Sequence, residues 1–251
     1  MCCCNAALPS VQRLGWAAAV ILIGSSALLT GRQLPIWRDA PSLAQAMLTH
    51  NPRDASQWNN FAIVLDRHSA APPAIIDDLF QHAKALPAAV AQRIEIAHDH
   101  GLFLLKLDED ERACQAFRQC LRQAELADQM KSRVATNATT NLAVGLTRLQ
   151  KADEAISLLR ALHDRVPATA TSLNALGNAF AAGHYPGDAL VAFEQALGLA
   201  PNDVLLLCNA AQAAARVGNE PLARRYLAHA RASDPESVAV TAAAAILDEA
   251  R

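Results

Sequence analysis

Six side-chain amides in this sequence fall at recurring places: Asn60, Asn141, Asn174, Asn178, Asn209 and Gln212. On the repeating frame set out below, Asn60, Asn141 and Asn209 take the sixth place, Asn174 the fifth, and Asn178 and Gln212 the ninth. Asn59 is a further fifth-place amide, and Asp99 and Ala175 fill the sixth place in the remaining frames. An amide both donates and accepts, so a column of them can follow the N–H and C=O groups of an extended peptide. That chemistry is binding, tolerant of sequence, and it calls for no cofactor. The competing reading is local, because Asn also caps helices and bonds to nearby backbone.

The other reactive residues do not assemble into a site. "HDHG" at His98 to Gly101 and "DEDE" at Asp108 to Glu111 are the most metal-like stretch. On a helix, His98 and His100 diverge by about 200° and cannot share an ion, so solvated charge is the expectation. His68, His82, His163, His184 and His229 stand singly, without a recognisable Ser or Cys nucleophile motif, and no glycine-rich phosphate loop is present. Cys114 and Cys120 are six apart and point to different helix faces, while Cys208 is alone. Cys2, Cys3 and Cys4 read either as lipidation sites beside a membrane helix or as an unstructured start. No enzyme signature, metal centre or disulfide framework results.

Composition bounds what can position the amides. Of 251 residues, 52% are hydrophobic but only 4% aromatic, and alanine supplies much of the apolar count. Small apolar side chains favour closely packed helices over strands, so the fold expected is all-α. Net charge is −2, with no concentrated basic face, which sets nucleic-acid binding aside.

A fixed period organises the carboxy-terminal half. Ala155, Ala189 and Ala223, then Leu159, Phe193 and Leu227, then Pro167, Pro201 and Pro235 form three columns with one constant 34-residue step. Within "SLNALGNAFAAGHYPGDALVAFEQALGLAPND", Leu173, Leu176, Gly177, Phe180, Ala189, Phe193, Ala196 and Pro201 carry the pattern. The stretch resembles the tetratricopeptide (TPR) repeat, which implies a right-handed superhelix of helix-turn-helix units. Gly177 and Ala189 would be small where the two helices cross, Phe180 and Phe193 would fill the space beside them, and Pro201 would stop the second helix. Such a hairpin cannot bury its apolar face alone, so neighbours must stack.

The organisation expected is then a short tail at 1–13, an apolar helix at 14–31, a leading half-repeat helix at 40–54, degenerate repeats over 55–135, three full repeats over 136–237 and a capping helix at 238–251. That makes about five repeats plus the cap. The repeat beginning at 94 keeps Gly101, Leu104, Ala113, Phe117 and Cys120 but carries about eight extra residues, "LADQMKSR". The cap offers little polarity, and reads either as a tight lid with alanine exposed or as a self-association edge.

Leu14 to Gly31, "LGWAAAVILIGSSALLTG", carries no charge, and its 18 residues as a helix would span about 27 Å. Arg13 and Arg32 flank it, and Trp16 and Trp37 lie near its ends as interfacial aromatics do. A single transmembrane helix is the first expectation. A signal peptide, cut at the small-x-small site of Ser25 and Ala27, is the second, and would leave a soluble periplasmic adaptor; a buried helix of a soluble domain is the third. Trp37, Asp39, Ser42, Leu43, Asn51 and Pro52 follow without a linker. This junction resembles that of multi-spanning glycosyltransferases with TPR tails, of the protein O-mannosyltransferase type. The resemblance implies repeats on the periplasmic or lumenal side and a possible membrane glycosyltransferase partner. It carries over no catalysis, since a single membrane helix cannot hold that family's early catalytic loop.

The function expected is a membrane-anchored, non-catalytic scaffold that binds a protein or extended peptide along the amides. Alternatives are an accessory subunit or separated tail of a glycosyltransferase, and the signal-cleaved adaptor. Asn141, Asn174 and Asn209 should stand exposed in a neutral groove, and binding should depend only weakly on salt.

Overall fold

The computed structural model describes residues 40–68 and 71–249, all helix and turn, with no strand among them. The chain divides into two compact units between Pro87 and Ala88. The first holds α1 (Ala40–His50), α2 (Ala55–His68) and α3 (Pro73–Ala85). The second holds α4 (Val90–Lys106), α5 (Asp110–Leu126), α6 (Arg133–Arg148), α7 (Ala152–His163), α8 (Ala170–Ala182), α9 (Pro186–Leu199), α10 (Val204–Arg216), α11 (Glu220–Ser233) and α12 (Val238–Glu249). No described helix is long and apolar enough to cross a membrane. The expected tail, the membrane span at 14–31 and the junction residues Trp37 and Asp39 lie outside the described residues.

In the second unit, consecutive helices pair as hairpins, and first helices also pack on the first helices of the next hairpin, α6 on α8 and α8 on α10. Side chains at the crossings explain the pairing. A Cβ on Gly177 of α8 would sit 2.5 Å from the Phe193 ring of α9, and one on Gly101 of α4 would sit 2.6 Å from Phe117 of α5. Hydrogen alone lets each ring lie against the opposite backbone. In the hairpins between and after, Ala143 and Ala211 take the glycine's place and Leu159 and Leu227 the ring's, all four buried. Gly with Phe alternates with Ala with Leu, so the volume at each crossing stays nearly constant. In the first unit the equivalent places hold Ala62 and Phe80, both buried.

The turns inside the hairpins repeat as closely. The backbone N–H groups of Glu109, Lys151, Tyr185 and Asn219 donate to the carbonyls of Leu104, Leu146, Phe180 and Ala214 at 2.8 to 3.0 Å. Each closes the first helix in a Schellman turn whose left-handed residue is Asp108, Gln150, His184 or Gly218. Only the last is the glycine that this conformation favours. Polar caps start the first helices of the later hairpins: Ser132 accepts from Ala135 N before α6, Thr169 and Ser172 form a reciprocal capping box before α8, and Asp203 accepts from Leu206 N before α10, while of the second helices α11 is capped by Asn219, which accepts from Leu222 N.

Helix starts show where the period becomes regular. Ala170, Val204 and Val238 open α8, α10 and α12 at the constant step of the frame, as Ala152, Pro186 and Glu220 open α7, α9 and α11. Upstream, α4 and α5 have 17 residues each against 13 and 14 in α10 and α11, and α4 begins at Val90 and α6 at Arg133, ahead of residues 94 and 136. The extra segment is therefore not all loop. Part of it lengthens α5, leaving Leu126 82% exposed at the helix end. At the other end α12 packs on α10 and α11 through buried Val240 and Ala243, while Val238, Thr241 and Ala242 face outward.

Candidate functional site

The first helices α6, α8 and α10 bring Asn141, Asn174, Asn178, Asn209 and Gln212 onto adjoining elements of one unit. Asn60 is exposed on α2 of the first unit. The expected exposure is corrected for three of these residues. Asn141, Asn174 and Asn209 are half-buried, and Asn209 Nδ2 donates to Asn174 Oδ1 at 2.9 Å, tying α10 to α8. That bond exists because the fifth place of one frame lies beside the sixth of the next. It satisfies one donor and one acceptor, leaving each amide with further capacity. Asn59, counted with the column, is buried in α2.

Asn178 is exposed and Gln212 half-buried, and with Asn209 and Arg216 they surround a small hollow of about 40 Å³ floored by Ala189 and Phe193. The hollow opens beside a groove of about 550 Å³ lined by Gln150, Ala181, Ala182, His184, Pro186 and Arg216. Ala181, Pro186 and Arg216 belong to both. This amends the expectation of a neutral face, because the exposed Arg216 lines both the hollow and the groove. Gln150, His184 and Arg216 are the residues that sequence reasoning passed over. Their signal was present in the frame: Arg148, Ala182 and Arg216 hold one place in three successive repeats, and Gln150, His184 and Gly218 hold another.

The acid and imidazole cluster is less solvated than expected. His100 is 2% exposed, and His98 holds Asp99 Oδ1 at 3.2 Å from its Nδ1 with its ring edge-on to Phe117. Asp108 and Asp110 are bound to Arg148, and Glu109 to Arg112. Among the described residues no group of three or more His, Cys, Asp or Glu side chains could hold a metal ion.

His163 and Ser172 come together although nothing in the sequence pairs them, with Nε2 and Oγ 2.9 Å apart. Ser172 is 2% exposed and already engaged in the box with Thr169, so the pair locks the α7–α8 turn and presents no accessible nucleophile. Burial lowers the His163 pKa, against the smaller opposing pull of Asp164, favouring a neutral ring. Cys114, Cys120 and Cys208 are buried free thiols. Burial pushes Cys120 up to about 12, with the Asp99 carboxylate adding to it, and burial likewise raises Cys114 and Cys208. Thiols so protonated are poor nucleophiles and poor metal ligands.

Stacked hairpins, first helix against first helix, define the second unit as a helical-repeat array. Solved structures place that class more closely. The chain is similar to PilW, described as a widely conserved type IV pilus biogenesis factor, with TM-score 0.67 and 18% identity over 79% of this chain and 86% of that one. It is similar to PilF of Pseudomonas aeruginosa, with TM-score 0.63 and 14% identity over 91% and 96%. It is also similar to YrrB, described as a TPR protein with an unusual peptide-binding site, with TM-score 0.56 and 17% identity over 82% and 100%. The fold is the tetratricopeptide-repeat fold. No family pattern matches the sequence, and no curated protein matches it. The likeness to glycosyltransferase tails remains one of sequence, since its apolar segment at 14–31 and Trp37 and Asp39 fall outside the described residues.

Proposed function

We propose that this chain is a non-catalytic scaffold that holds a protein partner as an extended segment along the first helices α6, α8 and α10. One observation carries the reading. Asn178, Asn209 and Gln212, drawn from the ninth and sixth places of successive frames, converge on one hollow with Arg216, and Asn178 is free of the structural bond that ties Asn174 to Asn209. Amides held by rigid helices can meet peptide N–H and C=O groups without first being ordered, which lowers the entropy lost on binding. YrrB, a neighbour in fold at 17% identity, has a peptide-binding site, and that supports the same use of this face.

The deciding experiment pans a displayed random-peptide library on the whole chain and measures recovered peptides by fluorescence anisotropy. Asn178→Ala with Gln212→Ala should weaken them tenfold or more with little change in melting temperature. Unchanged affinity would refute the reading. The scaffold is proposed to be tethered through residues 14–31, with its repeats on the periplasmic or lumenal side. Protease protection in sealed vesicles of known orientation tests this: cleavage of the repeats only from the cytoplasmic side would overturn it.

A further inference from the structure

The molecule contains an occupied version of the Arg216 groove elsewhere in its own array. Arg148, at the end of α6, donates from Nη1 to Leu105 O and Asp108 Oδ1, both at 3.0 Å, and to Asp110 Oδ1 at 3.4 Å. Leu105 lies in the last turn of α4, Asp108 is the left-handed turn residue and Asp110 opens α5. Arg216 occupies the same place at the end of α10. The residues matching Leu105, Asp108 and Asp110 in its preceding hairpin are Ala181, His184 and Pro186, at the same spacing. All three line the groove with Arg216. The backbone framework is kept and both carboxylates are gone.

Two further facts bear on what fills their place. Among the described residues no ion pair or side-chain hydrogen bond engages the Arg216 guanidinium, and no acidic residue lines the groove. The position between the two arginines in the array is Ala182, and its short side chain leaves the groove open from Gln150 across to His184. A guanidinium offers five N–H donors in a fixed plane, suited to carboxylate oxygens. We infer that Arg216 receives a pair of acidic side chains from a partner, two residues apart in an Asp-x-Asp or Asp-x-Glu arrangement, reproducing in trans the contacts that Asp108 and Asp110 make to Arg148. The inference rests on the peptide-binding reading of this face and specifies the chemistry of the segment held there.

The test uses the full chain and three labelled, N-acetylated peptides read by fluorescence anisotropy: LKLDEDER amidated, which copies residues 105–112, LKLNQNER amidated, and LKLNQNER with a free terminal carboxylate. The first should bind at least tenfold more tightly than the other two, and less tightly as salt rises. Arg216→Gln should abolish that preference. His184→Asp should also weaken it while leaving Arg216 in place, because it returns an internal carboxylate to the position of Asp108. Equal binding of amidated LKLNQNER, or undiminished binding to the Arg216→Gln protein, overturns the inference. So does preference for the free carboxylate, which would make this a chain-terminus site. If library peptides still bind through Asn178 and Gln212 in any of those cases, the scaffold reading survives alone. If no peptide of either kind binds, both fall.

Discussion

In the α8–α9 hairpin the first helix gives up its side chain at Gly177 and the second fills the place with Phe193; one repeat later, in α10–α11, Ala211 stands opposite Leu227. The backbone arrangement is the same and the apportioning of volume between the helices is not. What the array conserves from hairpin to hairpin is the filled space at the crossing, not the residue. The same exchange separates Gly101 and Phe117 from Ala143 and Leu159. A one-residue change on either side should therefore be felt, and a matched change on both should be nearly silent.

The largest effect is expected from Phe193→Ala, which removes a ring 2% exposed from a place with no other occupant. A loss of about 3 to 5 kcal/mol should appear in the urea unfolding midpoint. Gly177→Ala should cost about 1 to 3 kcal/mol, since its new methyl would press on the ring edge. Combining it with Phe193→Leu rebuilds the α10–α11 crossing inside α8–α9. The double variant should be more stable than the sum of the two single changes by about 1 kcal/mol or more. Strict additivity would mean that the alternation is incidental.

Smaller effects test the surface between repeats. Asn209→Ala should lose about 1 kcal/mol, the net worth of its bond to Asn174. Gln150→Gly should gain about 0.5 to 1 kcal/mol, because its φ of 60° lies where a Cβ is crowded. Gly218→Ala, at φ 80°, should lose a similar amount. The opposite signs at equivalent turn positions make the pair a check on the Schellman assignment, read from thermal unfolding.

The crossing pattern could be read from the sequence because packing within a hairpin repeats with the chain. Pairing Gly177 with Phe193 needs only the repeating frame and the principle that a missing side chain must be answered by a larger one. The groove at Arg216 was not readable in that way. It depends on three hairpins at once, on an alanine where a neighbour has arginine, and on a proline and a histidine where a neighbour has aspartates. The amides were found by type and register, but their exposure was not, since the fifth and sixth places of successive frames face each other only after stacking. The extended α4 and α5 also escaped notice. Extra residues in a repeat look the same on paper whether they lengthen a helix or a loop.

The three buried thiols give the array a built-in clock. Cys114 and Cys120 are on α5 and Cys208 is on α10, and each must leave its packed site before a water-soluble alkylating reagent can reach it. Because each repeat is stabilised chiefly by its neighbours, opening can start at one end and travel. Modification rates followed by peptide mass would time the departure of the α5 hairpin against that of α10, reporting which end of the second unit frays first without any introduced probe.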